Sequence, residues 1–202
     1  SVRVAPSINI KLYIMLALVL FFVIGCCGAV LLGRLSDIVD YLLYVDKKTG
    51  LPNREKLNIY IGEMAGKVLP EAFTCFTLSL DNLSELTKRF GYTVGDGVLK
   101  DFAGLVQLMG DTEGMRGYNG VGRFVVFFEE CSSKKAAAMI RILDNQVEEY
   151  NSLNPEYPIR YTAAWATTEE TDTYEIRELL RLSQKKWKQM EKEKKDKTEE
   201  ET

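Results

Sequence analysis

The sequence predicts an α/β sandwich, a sheet flanked by helices, carried behind one membrane-spanning helix. Three observations predict it. A long uncharged apolar run lies near the N-terminus. From residue 46 onward, β-like runs alternate with amphipathic helical stretches. The 202 residues are 46% hydrophobic and 27% charged, a balance that supports a packed core and argues against disorder.

The apolar run, Leu12 to Leu32, reads LYIMLALVLFFVIGCCGAVLL between Lys11 and Arg34. At 1.5 Å per residue it is about 30 Å long, the thickness of a bilayer's hydrocarbon core. A signal peptide carries a shorter apolar core and a small-residue cleavage site. Residues 12–33 are therefore assigned as a single transmembrane helix behind a short segment, 1–11. Arg34, Lys47 and Lys48 against Arg3 and Lys11 bias the C-terminal part toward the cytoplasm, on the inner membrane. Residues 34–45 (RLSDIVDYLLYV) extend the helical pattern, with Leu35, Ile38, Val39, Leu42 and Leu43 on one stripe. Two readings stay open for them: a connector packed on the domain, and a short dimerising signal helix.

Residues 46–195 read as one domain. Residues 53–68 form a helix with Leu57, Ile61, Met64 and Val68 inward. Residues 72–80 (AFTCFTLSL) form a strand, 82–90 a short helix, and 94–109 an amphipathic helix. Residues 115–119 and 123–129 are strands joined through Gly120-Val121-Gly122, a hairpin signal. A long helix over 133–153, a strand over 159–167 and a last helix from 174 to about 195 complete it, with Ile176, Leu179, Leu180, Trp187 and Met190 inward. Residues 196–202 are a charge-mixed tail, expected to be solvated.

Composition removes several chemistries. There is no histidine, so imidazole acid–base catalysis and imidazole-ligated metal are excluded. The four cysteines form no CxxC pair and read as reduced, small hydrophobes. A net charge of −3 gives no global attraction for nucleic acid polymers. Trp165 and Trp187 read as packing residues.

Two segments carry a family resemblance. Asp46-Lys47-Lys48-Thr49-Gly50-Leu51-Pro52-Asn53-Arg54 resembles the D-x-x-T-G-L-P-N-R opening of the GGDEF (diguanylate cyclase) domain. Phe90-Gly91-Tyr92-Thr93-Val94-Gly95-Asp96-Gly97-Val98-Leu99 is similar to that family's Y-G-H-x-x-G-D-x-V-L, with Tyr92 in place of His. Between them, Leu78-Ser79-Leu80-Asp81 falls where the family has D-[IL]-D. Further on, Gly120-Val121-Gly122-Arg123-Phe124 falls on the signature itself. The resemblance implies a central, mostly antiparallel sheet of about five strands with helices on both faces. It implies a site where carboxylates hold Mg²⁺ against triphosphates.

The departures lie in that site. Ser79 replaces the first metal aspartate and Gly122 the metal-binding acid of the signature. Arg123 reverses the next charge, and Val121 replaces a glycine that lets the backbone approach phosphate. Thr87 and Lys88 stand where the guanine-reading Asn-Asp pair is expected. Asp81, Thr87, Asp96 and Arg123 remain as a vestigial nucleotide cleft. Asp96 can equally cap its helix, and Arg123 can equally be a solvent-facing hairpin residue. The late basic pair falls nearest Glu191 and Lys195. The product-inhibition motif R-x-x-D falls on Asp111-Thr112-Glu113-Gly114, which lacks both of its charged residues.

The resulting expectation is a non-enzymatic, membrane-anchored degenerate GGDEF domain with no metal or cofactor. It acts as a scaffold or regulatory subunit through protein partners, or through a second copy by way of residues 34–45. The first alternative is a non-catalytic receptor for GTP or a cyclic dinucleotide. The second is an active cyclase with relocated ligands.

Overall fold

The computed structural model describes residues 10–110 and 114–200. The chain divides into two compact units, Ser1–Leu43 and Tyr44–Thr202. The described residues of the first unit are helical. Helix α1 runs Ile10–Tyr44, and from Tyr13 its apolar length suffices to cross a membrane, with none of that stretch buried. Leu35, Ile38, Val39, Leu42 and Leu43 are all exposed.

The second unit contains α2 (Arg54–Met64), β1 (Thr74–Leu80), α3 (Leu83–Phe90), α4 (Tyr92–Gln107), β2 (Gly114–Gly120) and β3 (Arg123–Phe128). It continues through α5 (Ser133–Leu153), β4 (Tyr161–Thr167), the single turn α6 (Thr168–Thr171) and α7 (Ile176–Glu200). The strands form one sheet in the order β2-β3-β1-β4, and every neighbouring pair is antiparallel. The antiparallel sheet with flanking helices is the expected class, but it has four strands among the described residues, not five. Near the opening motif, Val45 and Pro52 make only an isolated bridge.

Alternation along β1 and β3 splits the core into two layers. Phe76, Leu78, Leu80, Phe124, Val126 and Phe128 face Val98, Leu99, Phe102 and Val106 of α4 and Ala136, Met139 and Leu143 of α5. Cys75, Val125 and Phe127 face Leu57 of α2 and Ile176 and Leu179 of α7. Both sheet faces are covered, which is why β1 is buried along its whole length. Helix α2 stops at Met64, because the chain turns through Gly66 at φ +80°. Val68, expected inward, therefore lies beyond the helix and is 84% exposed. Helix α7 packs Trp187 inward, while Met190, also expected inward, is exposed. The helical pattern runs on to Glu200, through most of the stretch expected to be a tail.

Candidate functional site: the cleft at the end of β1

The opening motif builds a turn. The Asp46 carboxylate accepts from the backbone N–H groups of Lys48 and Thr49, at 3.1 and 2.9 Å, and from the Thr49 hydroxyl at 2.9 Å. Gly50 takes φ +71°, and Leu51 is buried in the core. The Pro52 carbonyl accepts from Tyr118 N–H at 2.8 Å. Asn53 caps α2 through its side chain and the Lys56 N–H at 3.1 Å, and Arg54 opens the helix. Lys48 Nζ then reaches Asp96 Oδ1 of α4 at 2.8 Å, and that carboxylate holds the Lys48 ammonium above the usual lysine range.

Beside the end of β1 opens a cleft of about 1150 Å³. Ser79 and Asp81 supply one wall, Thr87, Lys88 and Tyr92 a second. Arg160, Thr162, Glu191 and Lys194 supply a third, and Val121 stands at the hairpin tip. The structure thus brings Asp81, Thr87 and Val121 together with Ser79. Asp96 and Arg123 are not in the lining. Asp96 is engaged by Lys48 at the start of α4. Arg123 is exposed, sits opposite Ser79 in the β1–β3 register, and its side chain makes no hydrogen bond or ion pair among the described residues. Phe124 is fully buried, 5.3 Å from the Phe102 ring.

The hairpin turn has positive φ at both central residues, Val121 (+52°) and Gly122 (+71°), the geometry that suits tight β-hairpins. Gly120 precedes it at φ +84°. A Cβ on Gly122 would come within 3.1 Å of the Leu80 carbonyl. Thr87 donates to the Leu83 carbonyl at 2.8 Å, and its hydroxyl oxygen lies 2.3 Å from where a Cβ on Gly95 would sit. It is a packing residue where α3 meets α4.

Asp81 is the carboxylate at the strand end. Thr162 Oγ1 donates to its Oδ2 at 2.6 Å, and Lys194 Nζ lies 3.8 Å from the same oxygen. Burial pushes the carboxyl's pKa up, Thr162 and Lys194 pull it down, and Glu191 pushes it up; the net shift is upward. Glu85 is paired with Arg160. Lys194 was not foreseen in the sequence, which pointed to Lys195; the Lys195 side chain and residues 111–113 of the product-inhibition stretch lie outside the described residues. A helical-wheel count from buried Ile176, Leu179 and Trp187 would have placed Lys194 on the sheet-facing side.

Whether this cleft fits Mg²⁺ turns on its donors. Mg²⁺ takes near-octahedral oxygen ligands, commonly one or two carboxylates with phosphates and water. Here Asp81 is shared with a hydroxyl and an ammonium, and Ser79 is neutral. Gly122 offers no side chain. Among the described residues no three acidic, cysteine or histidine side chains converge. The donor set does not fit.

An antiparallel sheet covered by helices on both faces, with a cleft where β1 ends beside a hairpin, defines an α/β sandwich. The chain belongs to the GGDEF family: residues 43–197 match the family described as "Diguanylate cyclase, GGDEF domain". No curated protein sequence matches it. Similar solved folds include the coiled coil and GGDEF domain of DgcB from Caulobacter crescentus in complex with c-di-GMP (15% identity, 75% of this chain and 83% of that one, TM-score 0.61). The FimX GGDEF domain from Pseudomonas aeruginosa is similar at 18% identity (70% and 90%, TM-score 0.58). Vibrio cholerae LapD S helix-GGDEF-EAL, bound to c-di-GMP, is similar at 13% identity (67% and 31%, TM-score 0.55). This chain thus spans about a third of that LapD chain. At these identities the likeness is one of fold.

Proposed function

We propose that the chain is a membrane-anchored GGDEF domain that does not make cyclic di-GMP and works through its surfaces. In this reading residues 12–33 cross the inner membrane once and residues 46–195 lie in the cytoplasm. The domain is a scaffold or regulatory subunit of a bacterial membrane complex, paired with a protein partner or, through residues 34–45, with a second copy. One observation carries the reading. Where the family's chemistry needs clustered carboxylates, the end of β1 presents Ser79 opposite Arg123 and an Asp81 already tied to Thr162 and Lys194. The opening turn and both core layers are meanwhile intact, which suits a domain kept for its shape.

A second reading has its own support. The cleft is open and carries Lys88, Arg160 and Lys194, and similar folds are described in complex with c-di-GMP. In that reading the domain is a metal-independent receptor for GTP or a cyclic dinucleotide, with candidate contacts in Asp81 and Thr87, which line the cleft, and in Asp96 and Arg123, which lie outside its lining. Two measurements separate the readings. Purification from native membrane in mild detergent should return a stoichiometric protein partner or a dimer; a lone monomer counts against the scaffold. Micromolar nucleotide binding that Asp96→Ala abolishes would establish the receptor instead.

A further inference from the structure

We infer that Lys194 is the cleft's built-in cation: its ammonium neutralises Asp81 and, by sitting on the oxygen donors beside it, keeps divalent metal out. The inference deepens the proposed loss of catalysis and rests on that reading. It starts from three oxygens that converge on one nitrogen. Lys194 Nζ donates to the Tyr161 carbonyl at 2.7 Å and to Thr162 Oγ1 at 2.8 Å, and stands 3.8 Å from Asp81 Oδ2. The Thr162 hydroxyl donates its own hydrogen bond to Asp81 Oδ2 at 2.6 Å. It therefore accepts from the ammonium and donates to the carboxylate, a chain in which each bond polarises the next.

The placement follows from the fold. Leu80 of β1 pairs with Tyr161 of β4, and Asp81 N–H donates to the Arg160 carbonyl at 2.7 Å, so the carboxylate and the two other oxygens come from adjacent antiparallel strands. Helix α7 buries Ile176, Leu179 and Trp187. Lys194 lies seven positions beyond Trp187, about two turns along, and so returns to the same face. An ammonium has three protons and no acceptor, and here two meet oxygens at full hydrogen-bond distance. Its positive charge sits against the Asp81 carboxylate, with Glu191 a second carboxylate in the same lining. A divalent ion at Asp81 would meet an ammonium a few ångströms away, and would have to displace it or bear the repulsion.

The test uses the full chain in detergent and Mn²⁺ as the probe for a hard divalent ion, read by its EPR signal and by thermal unfolding. The wild type should leave millimolar Mn²⁺ free and melt at the same temperature in EDTA. Lys194→Met should expose Asp81 and bring Mn²⁺ binding with a Tm that rises with Mn²⁺ by a few degrees. Adding Asp81→Asn should abolish the gain, and Lys194→Arg should stay blind to metal. Mn²⁺ bound at the cleft of the wild type, or a Lys194→Met protein still blind to it, overturns the inference. Should Lys194→Met fail to fold, amine acylation read by mass spectrometry serves. Lys194 of the wild type should react more slowly than exposed Lys192, and Asp81→Asn should remove the difference; equal rates in the wild type overturn the inference. Failure of the parent reading looks different: a wild type that takes Mn²⁺ yet forms no product from GTP overturns the built-in cation alone, whereas product formation overturns the non-catalytic reading.

Discussion

The N–H of Leu80 donates to the carbonyl of Gly122 at 2.8 Å, pinning the tip of the β2–β3 hairpin onto the end of β1. That bond crowds a side chain on Gly122, whose Cβ would approach the Leu80 carbonyl at 3.1 Å and Leu83 at 3.2 Å while held at φ +71°. Gly122→Asp, which restores an acid to the signature, should cost about 1–3 kcal/mol of stability. Urea denaturation of the full chain in detergent checks this. A neutral substitution would show that the turn can re-form around a side chain.

Val121 carries the opposite kind of strain. A β-branched residue at φ +52° is rare, and this one is 81% exposed, so little packing holds it there. Val121→Asn should stabilise the chain by about 0.5–1 kcal/mol, because asparagine tolerates the left-handed region. The same denaturation series reads it out.

Gly95 and Thr87 make a close contact between α3 and α4. Gly95→Ala should destabilise by about 1–2 kcal/mol through collision with the Thr87 hydroxyl. Thr87→Ala on that background should recover part of the loss. The Thr87 Cβ, 3.3 Å from the new methyl, sets the remainder. A double-mutant cycle measures the coupling.

Alkaline pH should unfold the domain early. Burial pushes the Cys75 thiol from 9.0 up to about 12, and burial with the Asp101 hydrogen bond pushes Tyr150 up to about 12. Both folded values lie above the unfolded ones, so the fold holds these protons more tightly. The stability is complete below about pH 9 and is lost as pH climbs toward 12. Tm should fall across that window, and Cys75→Ala should flatten the fall while costing about 1 kcal/mol at neutral pH. Thiol reagents should leave Cys75 and Cys131, both buried, unmodified until the domain unfolds.

Much of this molecule was legible before its structure. Periodicity located the four strands and the helices longer than a single turn, because β1 and β3 alternate between two buried faces and α4 and α5 repeat their apolar residues at helical spacing; the turn α6 was not foreseen. The opening motif was legible because its residues do local work: Asp46 closes a turn, Gly50 supplies a positive φ and Asn53 caps a helix. What the sequence did not reveal depends on long-range placement. Helical spacing puts Lys194 on the buried face of α7, but its meeting with Asp81 depends on how α7 returns across β4, which no local pattern encodes. Asp96 looked like a cap or a base contact, and its partner is Lys48, 48 residues away. Thr87 looked like a remnant of base recognition, and it packs on Gly95. Val68 continued an apolar stripe on paper, but Gly66 ended the helix first.

The most direct measurement is turnover. The full chain in a mild detergent or nanodisc, given GTP and Mg²⁺, should release no pyrophosphate and form no cyclic di-GMP, at any protein concentration that permits pairing. Cyclic di-GMP formed in proportion to the chain and abolished by EDTA would contradict the account at its centre.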